Sequence, residues 1–243
     1  MTQVLLPLKD LVKAKSRLSG LLSPSERRAL AQAMVEDVLV VLAQHDEISC
    51  ITLVSDDPGA GMLAQKYGAD YLPETALGCR GLNPVVAAAA SRLVQDHSAP
   101  TLVLHGDLPL LSHADISAVL ARQRQRGGLV IGCDRHNIGS NLLAFPQGSM
   151  QQFYFGAHSC QRHGEAARAL GMHSSVMLRP GIALDLDEAA DMRELMQQLD
   201  RAGRHTRALL VHSDLGSRVA LALNMTTPQA QGVQTQKERG NHE

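Results

Sequence analysis

The chain has 243 residues, a formal net charge of −1, 44% hydrophobic residues and 2% aromatic residues. A charge this close to zero excludes the basic surface typical of nucleic-acid-binding proteins. The scarcity of aromatic residues removes the stacking platform that single-strand binders use. The length suits one α/β domain, which we place at residues 1–223, and the polar residues 224–243 predict a disordered tail.

Cysteine spacing and the absence of long apolar runs indicate the compartment. The four cysteines are Cys50, Cys79, Cys133 and Cys160. They show no paired spacing, which argues against a zinc site and a disulfide framework and suits a reducing cytosol. No apolar run reaches the length of a membrane span, and no signal-peptide pattern opens the sequence. We therefore expect a cytoplasmic protein that does not bind membranes.

Short apolar runs alternate with helical periodicity along the chain. Strands are predicted over residues 4–8, 50–54, 69–72, 101–104, 128–132, 141–145, 174–178 and 182–186. Helices are predicted after a Ser23 capping box with Glu26, and over residues 59–67, 82–95, 112–126, 159–170 and 188–202. Residues 147–156 interrupt the alternation and are interpreted as an inserted hairpin. The alternation predicts a mostly parallel, doubly wound α/β sheet.

Four cations follow the first predicted strand: Lys9, Lys13, Lys15 and Arg17. Open α/β sheets bind ligands at the carboxyl ends of their strands, so a polyphosphate arriving there would relieve the mutual repulsion of these cations. The alternative is a solvated face with no ligand. Because the overall charge is near zero, the cluster indicates a small anion rather than nucleic acid.

Carboxylates follow two later strands. Asp107 comes just after the strand at 101–104, where it is suited to hold Mg²⁺ against a nucleotide, or alternatively to form an Asx-turn. Asp185 and Asp187 alternate along the strand predicted at 182–186, which places them on one side of it. The alternative for Asp187 is an N-cap of the next helix. Carboxylates from separate strand ends could share one metal ion or hold two.

Two further segments resemble anion nests, in which backbone N–H groups and a hydroxyl face a ligand. Gly139 precedes Ser140, and Gly156 precedes a helix that begins near Ser159. Ordinary turns with N-caps are the alternative for both. His158 and His163, five residues apart, do not share a helix face, which argues against a metal role for them.

Gly81 and Asn83 stand at the start of a predicted helix. A buried Asn there can bind the edge of a nucleotide base, and N-capping is the alternative.

These segments together resemble the 2-phospho-L-lactate guanylyltransferase family. The resemblance runs in order through residues 9–18, 22–27, 81–83, 106–111, 134–136, 139–143, 155–159 and 180–187. It covers about residues 4–200. Ser140 stands where Thr is usual in the family, and Ala157 and His158 stand where Pro and Gly are frequent.

The resemblance implies a Rossmann-like sheet of the glycosyltransferase-A or nucleotidyltransferase type. It implies an enzyme that joins GTP to 2-phospho-L-lactate, phosphoenolpyruvate or 3-phospho-D-glycerate and releases pyrophosphate, in coenzyme F-420 biosynthesis. It also implies a homodimer. Asp107 and Asp185 are carried over as Mg²⁺ ligands, and Ser140, Gly156 and Ser159 as binders of the phosphorylated acid.

From the residues we add further site predictions. Lys9, Lys15, Arg17, Gly81 and Asn83 are predicted to bind the nucleotide. Lys15 and Arg17 are predicted to act in catalysis with Asp107 and Asp185, and Asp187 is a third candidate metal ligand.

Two other functions compete with this interpretation. One is a different nucleotidyltransferase of the same fold, acting on a molybdopterin or a sugar phosphate. Such enzymes usually open with a Gly-rich loop after the first strand, whereas residues 9–17 contain no Gly. The other is a nucleotide-binding regulator without catalytic activity, against which the retained Asp107 and Asp185 argue.

Overall fold

A seven-stranded sheet forms the centre of the computed structural model, which describes residues 1–9, 11, 15–96 and 100–225. The strands are β1 Thr2–Pro7, β2 Ile48–Val54, β3 Asp70–Leu72, β4 Thr101–Leu104, β5 Leu129–Cys133, β6 Ser140–Phe145 and β7 Ser174–Met177. Their order is β3-β2-β1-β4-β6-β5-β7. Of the seven described strands, only β6 runs antiparallel to its neighbours, which confirms the predicted mostly parallel α/β sheet.

Helices cover both faces of this sheet. They are α1 Pro24–Ala43, α2 Ala60–Lys66, α3 Leu82–Asp96, α4 His113–Arg126, α5 Ser159–Ala169, α6 Pro180–Ala183, α7 Ala189–Gln197, α8 Arg204–Val211 and α9 Asp214–Ala222. The predicted capping box of Ser23 and Glu26 opens α1, and Ser112 caps α4. None of the described helices combines the length and apolar character needed to cross a membrane.

The core follows from side-chain alternation along the central strands. Val4 and Leu6 point into one hydrophobic cluster, while Leu5 between them points into a second on the opposite face. A third cluster forms where the C-terminal helices α7 to α9 pack with Leu30 and Met34 of α1. The packed chain therefore extends through the 209–223 region.

Two element predictions are wrong. The strand expected at 182–186 is replaced by the short helix α6 and an irregular segment, because Pro180 starts a helical turn that buries Ile182. Residues 147–156 contain no strand, so the expected hairpin is absent from this segment; its buried residues, Met150, Phe153 and Phe155, pack into the second cluster.

The cysteine prediction is also wrong for one pair. Cys133 ends β5 and Cys160 lies in the first turn of α5, which packs against β5. Their Cα atoms are 6.2 Å apart and the two residues form a disulfide. Residues 27 positions apart met through tertiary packing, which sequence spacing could not reveal.

Candidate active site

The site lies where the order of strands in the sheet reverses. β1 and β4 are neighbours, although β2 and β3 intervene in the chain. The basic segment leaves the carboxyl end of β1, and Asp107 follows β4 by three residues. Open α/β sheets bind ligands at such a switch point. The structure therefore brings Lys15 and the carboxylates of Asp107 and Asp187 to one edge of the sheet.

Lys15 joins two of the predicted carboxylates. Its Nζ atom lies 2.5 Å from Asp107 Oδ2 and 2.9 Å from Asp187 Oδ1. Its side chain is only 6% exposed, and its backbone adopts a left-handed conformation with φ of 56°. Burial alone would lower the pKa of Lys15, but attraction to Asp107 and Asp187 outweighs it and raises the pKa. Lys15 is thus a fixed, charged donor inside the site.

Asp107 is the other half of this buried pair. Burial opposes ionisation of Asp107, yet Lys15 lowers its pKa below the ordinary value, so the carboxylate stays charged. Its Oδ1 atom is buried and has no hydrogen-bond partner among the residues that the structure describes. A buried carboxylate oxygen without a partner is costly unless something charged or polar binds it. This oxygen is therefore available to a ligand.

Asp185 is positioned near the same group by one backbone hydrogen bond and one hydrogen bond between side chains. Leu186 N donates to Asp107 O at 3.2 Å, and Asn141 Nδ2 donates to Asp185 Oδ1 at 3.1 Å. Burial, followed by repulsion from Asp107, raises the pKa of Asp185 to about 6. Because Asp185 and Asp107 repel each other when both are ionised, a cation bound between them would be stabilised.

The carboxylates fit a divalent cation by chemistry. Mg²⁺ takes hard oxygen ligands and commonly binds one or two carboxylates together with substrate phosphates. Asp107 Oδ1 and the Asp185 carboxylate offer such oxygens. Within the described residues, no group of three or more metal-ligating side chains is assembled. Asp187 is engaged by Lys15, and Glu188 rather than Asp187 caps α7.

Of the other predicted cations, the two that the structure describes, Lys9 and Arg17, lie on the surface. Arg17 is exposed, and its Nη1 atom lies 3.0 Å from Glu188 Oε1. Lys9 is exposed at the end of β1, and its charge contributes to lowering the pKa of buried His105, behind burial and the charge of Lys15. Lys13 lies outside the described residues. The structure thus brings Lys15, but not Arg17, into direct contact with the predicted metal ligands.

The predicted acid-binding residues form a second group beside the first. Ser140 N donates to Ser159 Oγ at 2.7 Å, and Ser159 N donates to Gly156 O at 3.1 Å. Gly156 has a φ of 117°, a conformation that favours Gly. Ser140 precedes Asn141, whose amide binds Asp185, so this group adjoins the carboxylates. The structure thus brings these three residues together.

Asn83 has a different position from the one expected. Its Oδ1 accepts from Phe155 N at 2.7 Å, and its Nδ2 donates to Phe155 O at 3.1 Å. The amide group that we expected to contact a nucleotide base is therefore hydrogen-bonded to the backbone of Phe155. The same bonds stabilise the loop that leads to Gly156. Gly81, with φ of 89°, precedes α3 as predicted.

Three residues of the site were not predicted. Asn141 holds Asp185, Asp134 accepts hydrogen bonds from the backbone N–H groups of His136, Ile138 and Gly139, and His163 contacts Ser140. The Asx-type pattern after β5 was a usable signal for Asp134, and the i, i+4 spacing of Ser159 and His163 was one for His163. Nothing in the sequence indicated that Asn141 would reach Asp185.

Comparisons with named relatives support a transferase. The chain is 36% identical over 214 residues to phosphoenolpyruvate guanylyltransferase of Conexibacter woesei, covering 86% of this chain and 95% of that protein. It is 33% identical over 221 residues to 3-phospho-D-glycerate guanylyltransferase of Phenylobacterium zucineum, covering 90% and 98%.

Solved structures share the fold. A candidate nucleotide-diphospho-sugar transferase from Desulfovibrio desulfuricans G20 superposes with a TM-score of 0.72 at 18% identity, covering 90% of this chain and 97% of that one. Glucosyl-3-phosphoglycerate synthase of M. tuberculosis, solved with Mn²⁺ and uridine diphosphate, superposes with a TM-score of 0.54 at 10% identity, covering 83% and 80%. The nucleotidyltransferase and glycosyltransferase type of sheet is thereby confirmed.

The family comparison spans nearly the whole of the described fold. The sequence model described as "Guanylyl transferase CofC like" matches residues 2–221, which include both groups of site residues. With this match and relatives more than 30% identical over most of their length, the chain belongs to the CofC-like guanylyltransferase family.

Proposed function

We propose that this chain transfers the guanylyl group of GTP to the phosphate of a small phosphorylated three-carbon acid and releases pyrophosphate. The observation that carries the proposal is the buried Lys15 between Asp107 and Asp187, with Asp185 beside them at the switch point of the sheet. Cations and carboxylates at this place suit the chemistry of a nucleoside triphosphate.

The reaction needs no general base. An oxygen of the acid's phosphate attacks the α-phosphorus of GTP, and the bond from the α-phosphorus to the bridging oxygen breaks as pyrophosphate leaves. A phosphate is already ionised at neutral pH, so the chain's contribution is positioning and electrostatic stabilisation. The charged Nζ atom of Lys15, held by two carboxylates, supplies a fixed positive charge that requires no reorganisation during the reaction.

Mg²⁺ is proposed as the cofactor, with Asp107 and Asp185 as its ligands. Support comes from Asp107 Oδ1, which has no hydrogen-bond partner among the described residues, and from the raised pKa of Asp185. A bound cation would give the oxygen a partner and would lower the pKa. When bound, the metal would neutralise phosphate charge as a Lewis acid. Asp187 would keep Lys15 in place, since its Oδ1 atom contacts Nζ.

The nucleotide is proposed to lie against Lys9, Lys15, Arg17 and Gly81. Asn83 is proposed to contribute indirectly, by hydrogen bonds to the backbone of Phe155. The acid is proposed to bind at Ser140, Gly156 and Ser159. The named relatives act on phosphoenolpyruvate and on 3-phospho-D-glycerate, and the family resemblance adds 2-phospho-L-lactate. All three are three-carbon acids with one phosphate, and the hydroxyls of Ser140 and Ser159 are donors that could bind such a phosphate.

The proposal extends to the pathway, the assembly and the compartment. The family resemblance implies that the product serves coenzyme F-420 biosynthesis and that the enzyme is a homodimer, while the cytoplasmic location was predicted from the sequence. The disulfide of Cys133 and Cys160 removes the cysteine-based reason for a reducing compartment. The proposed need for GTP is the remaining reason for a cytoplasmic location. The mass in solution, measured by light scattering, tests the homodimer.

One experiment tests the activity. Pyrophosphate release is measured with GTP and Mg²⁺ on 2-phospho-L-lactate, phosphoenolpyruvate and 3-phospho-D-glycerate, with ATP and CTP as nucleotide controls. We expect turnover with GTP and at least one acid, and its loss when EDTA removes the metal. Binding of GTP without turnover on any acid would instead favour the regulator, and turnover on a sugar phosphate would favour the other transferases.

A further inference from the structure

A fully buried histidine lies beneath the proposed acid site. His163 is in α5, one turn after Ser159, and is 0% exposed. Its Nδ1 atom lies 3.1 Å from Ser140 Oγ, and its Nε2 atom accepts a hydrogen bond from Tyr154 N at 2.9 Å. The ring of Phe155 meets the imidazole edge-on, with centroids 5.0 Å apart.

The contact with Tyr154 determines which nitrogen carries the proton. A backbone N–H can only donate, so Nε2 of His163 must be the acceptor and carries no proton. A neutral imidazole then has its proton on Nδ1. Burial lowers the pKa of His163 to about 4, which keeps the ring neutral at physiological pH.

The direction of the Ser140 hydroxyl follows from this tautomer. Since Nδ1–H is a donor, Ser140 Oγ accepts from it, and the hydroxyl proton of Ser140 must point to another acceptor. Ser159 Oγ is constrained in the same way, because it accepts from Ser140 N. Both hydroxyls are therefore left with protons to donate, which suits an anion and not a cation.

We propose that His163 is a positioning residue that directs the hydroxyl proton of Ser140 towards the phosphorylated acid. The proposal rests on the proposed function, since it takes Ser140 as an acid-binding residue. The competing interpretation is a buried histidine that only links α5 to the 153–155 loop. In that case its contact with Tyr154 would matter and its contact with Ser140 would not.

Two amide side chains separate these interpretations. In His163→Gln the amide oxygen can reach the position of Nε2 and accept from Tyr154 N, while no donor remains for Ser140. In His163→Asn the amide can occupy the position of Nδ1 and donate to Ser140 Oγ, while the Tyr154 contact is lost. We expect His163→Gln to raise the KM for the acid at least tenfold, with the KM for GTP changed less than twofold, and His163→Asn to raise it less.

Combining variants isolates the contact between the two residues. Ser140→Ala is expected to raise the KM for the acid at least tenfold, and His163→Gln in that background should add less than twofold, because no hydroxyl remains to be directed. Equal effects of His163→Gln with and without Ser140 would overturn the proposal. A larger effect of His163→Asn than of His163→Gln would also overturn it.

A matched control is available at the other end of the sheet. His45, at the end of α1 and just before β2, is also buried and has Nε2 3.0 Å from Ser117 Oγ. His45→Gln should leave both KM values within twofold of wild type. If it shifted the KM for the acid as much as His163→Gln, the effect would be general destabilisation, and the proposal would fail.

The unaltered protein provides a measurement that does not depend on whether the variants fold. Nitrogen-15 chemical shifts of the His163 ring should show a proton on Nδ1 and none on Nε2 from pH 5 to pH 8. A proton on Nε2 would overturn the proposal. Failure of the wild type to release pyrophosphate with any acid would instead contradict the proposed function while leaving the tautomer result intact, so the two failures are distinguishable.

Discussion

At the scale of single residues, Asp185 links stability to function. Its pKa of about 6 in the folded chain exceeds the ordinary value of 3.8. The folded state therefore holds this proton more tightly than the unfolded state does. That contribution favours folding at low pH and is lost as pH rises through about 6, so ionised Asp185 destabilises the metal-free chain at pH 8.

We therefore expect Asp185→Asn to melt higher than wild type in EDTA at pH 8. A gain on the order of 1 kcal/mol would raise Tm by about 2–4 °C in a chain of this size. The advantage should shrink below pH 5, where wild-type Asp185 is protonated, and Mg²⁺ should stabilise wild type more than the variant. Asp46→Asn, an exposed change at the far end of the sheet, is the control, and a lower Tm for Asp185→Asn contradicts the account.

Although Asp185→Asn should raise the stability of the metal-free chain, it should lower the catalytic activity. Asp107→Asn and Asp185→Asn are each expected to lower turnover about 10²-fold or more, the scale seen when one electrostatic stabiliser is removed. Because both would act through one metal ion, the double variant should lose far less than the product of the two effects.

Added Mg²⁺ should partly restore the single variants. A silent Asp185→Asn together with an inactive Asp187→Asn would show that Asp187 is the ligand. Normal turnover in all three single variants would refute the metal-dependent mechanism.

At the scale of elements, the segment between β1 and α1 presents Arg17 on the surface. Its contact with Glu188 involves two exposed side chains, and such pairs contribute about 0–1 kcal/mol to stability. We expect Arg17→Ala to raise the KM for GTP or slow turnover at least tenfold, with Tm nearly unchanged, because its role is to bind the triphosphate. Glu188→Gln removes the same surface pair and should be close to wild type. Wild-type kinetics for Arg17→Ala would mean that the cation only faces water.

The loop before α5 depends on a residue from α3. Asn83 binds both backbone atoms of Phe155, which leads into Gly156. We expect Asn83→Ala to raise the KM for the acid more than the KM for GTP, because the loss frees the loop rather than a base contact. Steady-state kinetics with each substrate varied in turn measure this ratio. A selective rise in the KM for GTP would restore the base-binding role that the sequence suggested.

Elements with strong local signals could be predicted from sequence, while those governed by distant contacts could not. The capping box of Ser23 identified the start of α1, and a buried apolar run identified β4. The alternation around Asp185 imitated a strand, yet Leu184 and Leu186 are buried in an irregular segment that follows α6. Likewise, no local pattern could reveal that Asn83 would hold Phe155 or that Cys133 would meet Cys160.

At the scale of the whole molecule, the order of strands explains why part of the site was predictable. Carboxyl ends of parallel strands gather at one edge, so residues placed after β1 and β4 had to meet if the topology was right. Lys15 and Asp107 meet in this way. The exact partners at that edge depend on side-chain reach, which is why Lys15 was found between Asp107 and Asp187 while Arg17 turned to Glu188.

The packing of the C-terminal helices determines where the folded part of the chain ends. α8 and α9 bury Leu210, Leu215 and Val219 in the cluster that α1 shares, and Leu223 joins them. The described residues end at 225, so residues 226–243 of the predicted disordered tail lie outside them, while Met225 packs against this cluster and belongs to the folded part. Residues 226–243 contain few apolar side chains, which leaves little free energy to offset the entropy of ordering them.

We expect deletion after Thr226 to leave Tm and turnover nearly unchanged. Deletion after Ser213, by contrast, removes the buried side chains of Leu215, Val219 and Leu223, each worth about 1.5–3 kcal/mol, and should unfold the chain or lower Tm sharply. Thermal melts and pyrophosphate release on both truncations give the comparison. A fall of several degrees in the shorter deletion, on the scale of about 1 kcal/mol or more, would show that the tail packs against the domain.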